Sequence, residues 1–273
     1  MQEKLTWWQA LLVASSVGTA ALAAYSTFKA KEAAQTVLRS LEGPPDRKVS
    51  GPLVSVVIPT WNEAEYLANL LTSLQNQTYE PFEIIVADWS STDGTREVAA
   101  SFGAIVVDIP ERGVGPARNA GAAVASGDFL LFLDADTILQ PTLIEDLMME
   151  LLATGALLAH PRIVCYEDGI YPTVRWIWNT FSPHSYTTRA VLVRREAFDA
   201  VGGYKNVWRE DLLLGKEISD LFGSEAIAYL PWAFCGTSTR RERAIQTGRM
   251  AATRAAKFGE WPEFPAVRDG IYY

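Results

Sequence analysis

The fold of this chain is decided at Phe129-Leu130-Leu131-Phe132-Leu133-Asp134-Ala135-Asp136, where five apolar residues run directly into two acids separated by one small residue. A short, continuous apolar run is typical of a strand that is buried on both faces. Two carboxylates at the end of such a strand are costly to bury, so they indicate a bound hard cation or exposure to solvent. The alternative is an ordinary acidic turn in which Asp136 caps the next helix.

Segments of strand and helix pattern alternate on both sides of this stretch. The predicted strands are 53–58, 83–87, 104–108 and 129–134. The predicted helices are 63–75, 94–101, 116–125 and 141–152. This alternation predicts an α/β fold with a Rossmann-like, mostly parallel central sheet flanked by helices. Ligands bind at the carboxyl ends of the strands in such sheets, which is where Pro59, Thr60 and Asp88 fall.

Composition limits the classes of function. The chain has 273 residues, 49% of them hydrophobic, which suffices for one sizeable core. Its formal net charge of −8 argues against a nucleic-acid partner, because such proteins need a basic face. The two cysteines, Cys165 and Cys235, lack metal-ligand spacing and are predicted to be buried thiols.

The N-terminal segment is the least charged part of the chain. No charge lies between Lys4 and Lys29, and residues 7–28 approach the ~20 apolar residues that a membrane-spanning helix needs. We therefore predict a tail at 1–6, a transmembrane anchor at 7–28, and a juxtamembrane helix and linker at 29–51. A cleaved signal peptide is the alternative. Positive charges after the segment predict a single-pass membrane protein with the bulk of the chain, including the domain at 52–235, in the cytoplasm.

Several short motifs follow one another in a fixed order along the chain. They are Val-Ser-Val-Val-Ile-Pro-Thr-Trp-Asn-Glu at 54–63, Ile-Ile-Val-Ala-Asp-Trp-Ser-Ser-Thr-Asp-Gly-Thr at 84–95, Gly-Val-Gly-Pro-Ala-Arg-Asn-Ala-Gly at 113–121, Asp-Ala-Asp at 134–136, Val-Gly-Gly-Tyr at 201–204 and Arg-Glu-Asp-Leu at 209–212. Each is weak alone, but together they resemble family 2 glycosyltransferases of the GT-A fold. The resemblance implies a catalytic domain at 52–235, followed by a C-terminal basic helix and tail at 236–273.

The resemblance also implies a role for individual residues. The nucleotide would be bound by Pro59, Thr60, Trp61, Glu63, Asp88, Arg118, Asp134 and Ala135. A divalent metal, Mn²⁺ or Mg²⁺, would be bound by Asp136 and Asp134. The catalytic base would be Asp211, with Glu210 as the second choice. The acceptor would lie near Gly202, Gly203, Trp176 and Trp178.

The implied activity is the transfer of a sugar from a nucleotide-diphosphate sugar, with a UDP-sugar favoured. The acceptor would be a hydroxyl of a glycan or a lipid-linked compound, and a direct, metal-assisted displacement would invert the anomeric centre. Trp89 stands where the family often has a second acid, so the preference for a particular nucleotide base stays open. Two alternatives remain: a catalytically degenerate membrane-bound scaffold, and a sugar nucleotidyltransferase. The latter class needs a glycine-rich, lysine-containing loop after the first strand, and residues 59–63 contain neither residue type.

Overall fold

The computed structural model describes residues 16–110, 113–166, 189–207 and 210–239. The chain divides into two compact units, Met1–Thr237 and Ser238–Tyr273, and every element described below belongs to the first. The predicted C-terminal basic helix lies outside the described residues, except for the first few positions of the 236–273 segment.

Helices and strands alternate through most of the first unit. The strands are β1 (Val49–Thr60), β2 (Tyr79–Asp88), β3 (Ile105–Asp108), β4 (Phe129–Leu133), β5 (Thr137–Leu139), β6 (Leu158–Cys165), β7 (Ala190–Arg194) and β8 (Ile227–Thr237). The helices are α1 (Ser16–Leu38), α2 (Ala64–Gln75), α3 (Thr95–Ser101), α4 (Val114–Val124), α5 (Leu143–Thr154), α6 (Arg195–Ala200) and α7 (Glu210–Phe222). Single 3₁₀ turns lie at Arg39–Leu41 and Ser224–Ala226.

The eight strands form one sheet in the order β3-β2-β1-β4-β7-β6-β8-β5. The first four are mutually parallel, and β6 and β8 are also parallel to each other. β7 runs antiparallel to both β4 and β6, and β5 is an antiparallel edge strand on β8. The predicted α/β, Rossmann-like and mostly parallel sheet is therefore confirmed. The four predicted strands and four predicted helices are all present, with ends that differ by a few residues.

The sheet is buried on both faces, as the apolar run of β4 predicts. Val56 and Leu131 pack in one layer with α2 and α5. Val57, Leu130 and Phe132 pack in the opposite layer with α6 and α7. Successive strand residues point to opposite faces, so a strand covered on both sides has no polar alternation. Both cysteines are buried and neither forms a disulfide, as predicted.

The prediction of a single-pass membrane protein with a transmembrane helix at 7–28 is wrong. In the described ranges, no helix combines the length and the apolar character that crossing a membrane requires. Residues 7–15 of the predicted span lie outside the described residues. The remainder belongs to α1, which continues without a break past residue 28 and carries Lys29, Lys31 and Glu32.

Helix α1 is instead a helix that packs on the sheet. Ala33 and Val37 are buried and pack against Ile138 of β5 and Val164 of β6. At Gly236 of β8 the helix comes so close that an added Cβ would lie 2.7 Å from Val37 Cγ1. The part of α1 that makes this close helix-to-sheet contact therefore lies after the predicted span, in the segment predicted as a juxtamembrane helix and linker.

Candidate active site

The carboxyl ends of β1 and β2 are joined through Asp88. Its side chain is completely buried, and its Oδ1 accepts hydrogen bonds from Thr60 Oγ1 (2.8 Å) and Ser91 Oγ (2.5 Å). Its Oδ2 accepts one from the Ser91 backbone N (3.0 Å) and lies 3.7 Å from Arg96 Nη1. Asp88 thus lies where a nucleotide is expected, and the protein itself already supplies donors to both of its oxygens. Its hydrogen bond to a base stays a prediction.

The loops after β1 and β2 are clamped to each other in an unusual backbone conformation. Asn62 and Ser90 have positive φ angles of 55° and 50°, which non-glycine residues rarely adopt. The Asn62 backbone N donates to Ser91 Oγ (2.8 Å), and the Thr92 backbone N donates to Asn62 Oδ1 (2.9 Å). Strained residues held in this way concentrate at binding sites, which supports the placement of a ligand here.

Two tryptophans lie side by side on these loops. The rings of Trp61 and Trp89 are 5.3 Å apart between centroids, at an angle of 47°. Both side chains are partly exposed. Glu63, at the start of α2, is fixed by its backbone N, which donates to Thr95 Oγ1 (2.9 Å). Trp89, which stands where the family often has a second acid, therefore forms an aromatic surface with Trp61 beside the predicted nucleotide site.

The acids at the end of β4 are held by an arginine that the sequence analysis did not single out. Arg189 Nη1 lies 3.5 Å from Asp136 Oδ1 and 3.8 Å from Asp134 Oδ2. Asp136 is almost completely buried, with 1% of its surface exposed, and Thr237 Oγ1 lies 3.5 Å from its Oδ1. Ala135 between the two acids is also buried. No local sequence pattern marks Arg189, because only the pairing of distant strands brings it here.

Arg118 connects this pair of acids to a second pair at the start of α7. Its Nη2 donates to Asp134 Oδ1 and its Nη1 donates to Glu210 Oε1, each at 2.8 Å. Its guanidinium lies 4.8 Å from the centre of the Tyr204 ring, and only 3% of the residue is exposed. Burial alone would lower the pKa of Arg118, but Tyr204, Asp134 and Glu210 outweigh it and raise this pKa above its usual value.

Glu210 and Asp211 form the first turn of α7, where the helix dipole favours negative charge. Burial raises the pKa of Glu210 above its ordinary value, and the neighbouring charge of Asp211 adds to this, although Arg118 opposes it. Glu210 is thus engaged in the bridge to Arg118, while Asp211 is the adjacent carboxylate. The role of Asp211 as the proton acceptor, with Glu210 as the second choice, stays a prediction.

The predicted acceptor glycines shape the chain before α7. Gly202 and Gly203 have φ angles of 72° and 68°, in the left-handed region that glycine tolerates best. The turn places Tyr204 against Asn119 of α4. The Tyr204 backbone N donates to Asn119 Oδ1 (2.9 Å), and Asn119 Nδ2 donates to the Tyr204 carbonyl oxygen (2.8 Å). The glycines therefore have a structural role, and their contact with an acceptor stays a prediction. Trp176 and Trp178 lie outside the described residues.

The two carboxylates at the end of β4 fit a divalent metal whose remaining ligands come from the substrate and water. Within the described part of the chain, no group of three or more His, Cys, Asp or Glu side chains could hold a metal ion. Asp134 and Asp136 supply two carboxylates. Mg²⁺ is commonly bound through one or two carboxylates together with substrate phosphates and water, so this donor set fits.

Two solved structures share this fold. Glucosyl-3-phosphoglycerate synthase from Mycobacterium tuberculosis, solved with Mn²⁺, UDP and glucosyl-3-phosphoglycerate, is 23% identical with a TM-score of 0.55 over 78% of this chain and 82% of that chain. The mannosyltransferase PcManGT from Pyrobaculum calidifontis, solved with GDP-Man and Mn²⁺, is 21% identical with a TM-score of 0.59 over 89% of this chain and 77% of that one. At these identities the likeness establishes the fold.

Sequence comparison identifies the family. Glycosyltransferase AglE from Haloferax volcanii is 40% identical over 93 residues, which is 31% of this chain and 31% of that protein. The aligned regions span between 25% and 35% of the length of the first four curated relatives. The family model described as "Glycosyl transferase family 2" matches residues 55–213, which is more than half of the chain. This protein therefore belongs to glycosyltransferase family 2.

Proposed function

We propose that this protein transfers a sugar from a nucleotide-diphosphate sugar to an acceptor hydroxyl. The observation that carries the proposal is the Arg118 bridge, because it brings the predicted metal ligand Asp134 and the helix that bears the predicted base Asp211 into one site. A displacement at an anomeric carbon needs a group that receives the acceptor's proton and a separate group that holds the leaving diphosphate. The two acid pairs supply these two functions.

In the proposed reaction, Asp211 accepts the proton of the acceptor hydroxyl as its oxygen attacks the anomeric carbon. The new bond joins that oxygen to the carbon, and the bond from the carbon to the diphosphate oxygen breaks, which inverts the centre. Asp134 and Asp136 would hold Mn²⁺ or Mg²⁺, which, when bound, supplies positive charge that stabilises the departing diphosphate. Arg118 keeps Glu210 away from the proton transfer by binding it.

The nucleotide we propose is UDP, with its base beside Trp61 and Trp89. Aromatic side chains bind bases by stacking, which is tolerant of base identity. Of the two proteins with a similar fold, the synthase was solved with UDP and the mannosyltransferase with GDP-Man, so UDP and GDP both belong in the test. The acceptor we propose is a hydroxyl of a glycan or a lipid-linked compound.

Calorimetric titration tests the donor site directly. UDP, GDP and CDP are each titrated into the full chain with and without Mn²⁺. We expect UDP to bind in the presence of Mn²⁺. In Asp136→Asn the affinity for UDP with Mn²⁺ should fall on the order of a hundredfold, because mutating a residue that only hydrogen-bonds to a metal ligand already costs about ten- to a hundredfold in metal affinity. The matched control is Asp220→Asn, which changes an exposed acid of α7 that pairs with Lys216.

Turnover separates the proposal from its two rivals. A glycosyltransferase releases the nucleoside diphosphate from a UDP-sugar when an acceptor is added. A sugar nucleotidyltransferase would instead consume a nucleoside triphosphate with a sugar phosphate and release pyrophosphate. A protein that binds none of the three diphosphates and turns over neither substrate set would be the degenerate scaffold.

A further inference from the structure

Arg189 is placed between the two strand-end acids by the backbone of the sheet. It immediately precedes β7, whose Ala190 pairs with Leu133 of the neighbouring β4. The Asp134 backbone N donates to the Arg189 carbonyl oxygen (3.1 Å), which fixes the two residues opposite each other. The guanidinium is mostly shielded from solvent, with 14% of the side chain exposed. Its position between Asp134 and Asp136 is thus built into the fold.

The charges of the site indicate that a divalent cation and Arg189 would compete for the same carboxylates, those of Asp134 and Asp136. Among the described residues, four acids lie around two arginines there: Asp134, Asp136, Glu210 and Asp211 around Arg118 and Arg189. With all six of these side chains ionised, their net charge of −2 would be balanced by one divalent cation. Arg118 donates two hydrogen bonds of 2.8 Å, and Arg189 Nη1 lies 3.5 Å from Asp136 Oδ1 and 3.8 Å from Asp134 Oδ2. A divalent ion bound to the same carboxylates would repel the guanidinium strongly in this shielded site.

We propose that Arg189 is the cation that holds Asp134 and Asp136 together while no donor is bound, and that it turns to the donor's diphosphate when the divalent ion takes its place. The diphosphate part of this inference rests on the proposed function. An arginine suits the exchange because its fork binds carboxylates and phosphates with the same geometry. The divalent ion and then Arg189 would bind the donor. A positive charge would lie beside the carboxylates of Asp134 and Asp136 at every stage.

Binding of Mn²⁺ alone tests the first half of this inference. Free Mn²⁺ is followed by electron paramagnetic resonance as the nucleotide-free protein is titrated. Arg189→Gln removes the competing charge, so we expect it to bind Mn²⁺ about tenfold more tightly than the unchanged protein. Arg189→Lys keeps the charge and should stay within about twofold. Arg47→Gln is the matched control, because it removes an equal charge from a pair with Glu145 outside this site.

Binding of UDP at saturating Mn²⁺ tests the second half. Arg189→Gln should bind UDP about tenfold more weakly, since one charge-assisted contact to the diphosphate is lost. Arg189→Lys, which is the variant closest in size and charge, should lose about fivefold because it lacks the bidentate fork. The variants' thermal unfolding in EDTA is measured alongside, and Arg189→Lys alone suffices for this test if Arg189→Gln does not fold.

Equal or weaker Mn²⁺ binding by Arg189→Gln, undetectable Mn²⁺ binding by both proteins, or unchanged UDP affinity in both variants would overturn the inference. The Mn²⁺ titration requires no sugar transfer. A protein that transfers sugar but shows no Mn²⁺ response to Arg189→Gln refutes the role of Arg189 alone. A protein that shows the Mn²⁺ response but turns over no nucleotide sugar refutes the proposed function alone.

Discussion

The two acid pairs of the site are built in different ways. Asp134 and Asp136 lie between two strands of the sheet, and backbone hydrogen bonds to Arg189 and Thr137 set their position. Glu210 and Asp211 begin a helix, and the Arg118 bridge ties this turn to the strand-end pair, across 92 residues of sequence from Arg118 to Glu210. The proposed metal-binding half is therefore positioned by the backbone of the sheet, whereas the proposed proton-accepting half is joined to it through the buried Arg118 side chain.

The largest effect should come from the helix-start pair. Asp211→Asn removes the proposed base, so we expect turnover to fall about a thousandfold, in the range that general-base catalysis supplies. Mn²⁺-dependent UDP binding should be unchanged, because the strand-end pair is intact. Steady-state release of UDP from a UDP-sugar and calorimetry with UDP measure the two quantities. A variant that retains full turnover would remove Asp211 from the proposed mechanism and return Glu210 to consideration.

The next effect should come from cutting the connection between the pairs. Arg118→Met leaves Asp134 and Glu210, both largely buried, without their shared partner, and should lower the free energy of unfolding by about 3 kcal/mol. Urea denaturation measures this change. Lys216→Met is the control, because it breaks an exposed pair within α7 and should cost at most about 0.5 kcal/mol. Equal losses in both variants would show that the bridge does not hold the pairs together.

The smallest effect should be a change in pH dependence. Burial raises the pKa of Glu210, so the folded protein holds this proton more tightly than the unfolded chain does. The contribution of Glu210 to the free energy of unfolding is therefore full below about pH 4.3 and is lost as the pH rises through the raised pKa. Glu210→Gln should lack this decline, and unfolding curves at several pH values compare the slopes. Parallel slopes would mean that burial does not hold the proton on Glu210.

The parallel half of the sheet was predictable because its signals are local. The apolar run before Asp134 and the runs that end near Thr60 and Asp88 each mark a strand within a few residues. The alternating helices then imply parallel neighbours, which brings the carboxyl ends of these strands together. Most of the donor side of the site therefore follows from short stretches of sequence read in order.

The other half of the sheet depends on contacts between distant segments. β5 has only three residues, Thr137–Leu139, and it pairs with the end of β8 almost a hundred residues later. Arg189 reaches the acids only because β7 lies antiparallel to β4. The Arg118 bridge joins α4 to α7, and no spacing rule connects them. The membrane-span prediction was wrong for a different reason: α1 continues past residue 28 into Lys29, Lys31 and Glu32, and no helix in the described residues is apolar over the length that crossing a membrane requires.

The contact of α1 with the sheet has a practical consequence for anyone who produces this protein. A recombinant chain shortened to begin near Ser50 would lose the helix that covers Ile138, Val164 and Phe234, and with it the Ser40 carbonyl that accepts a hydrogen bond from the buried Asn76 side chain. The uncovered apolar strip would favour aggregation. Expression designs should therefore retain α1, even though the family match begins only at residue 55.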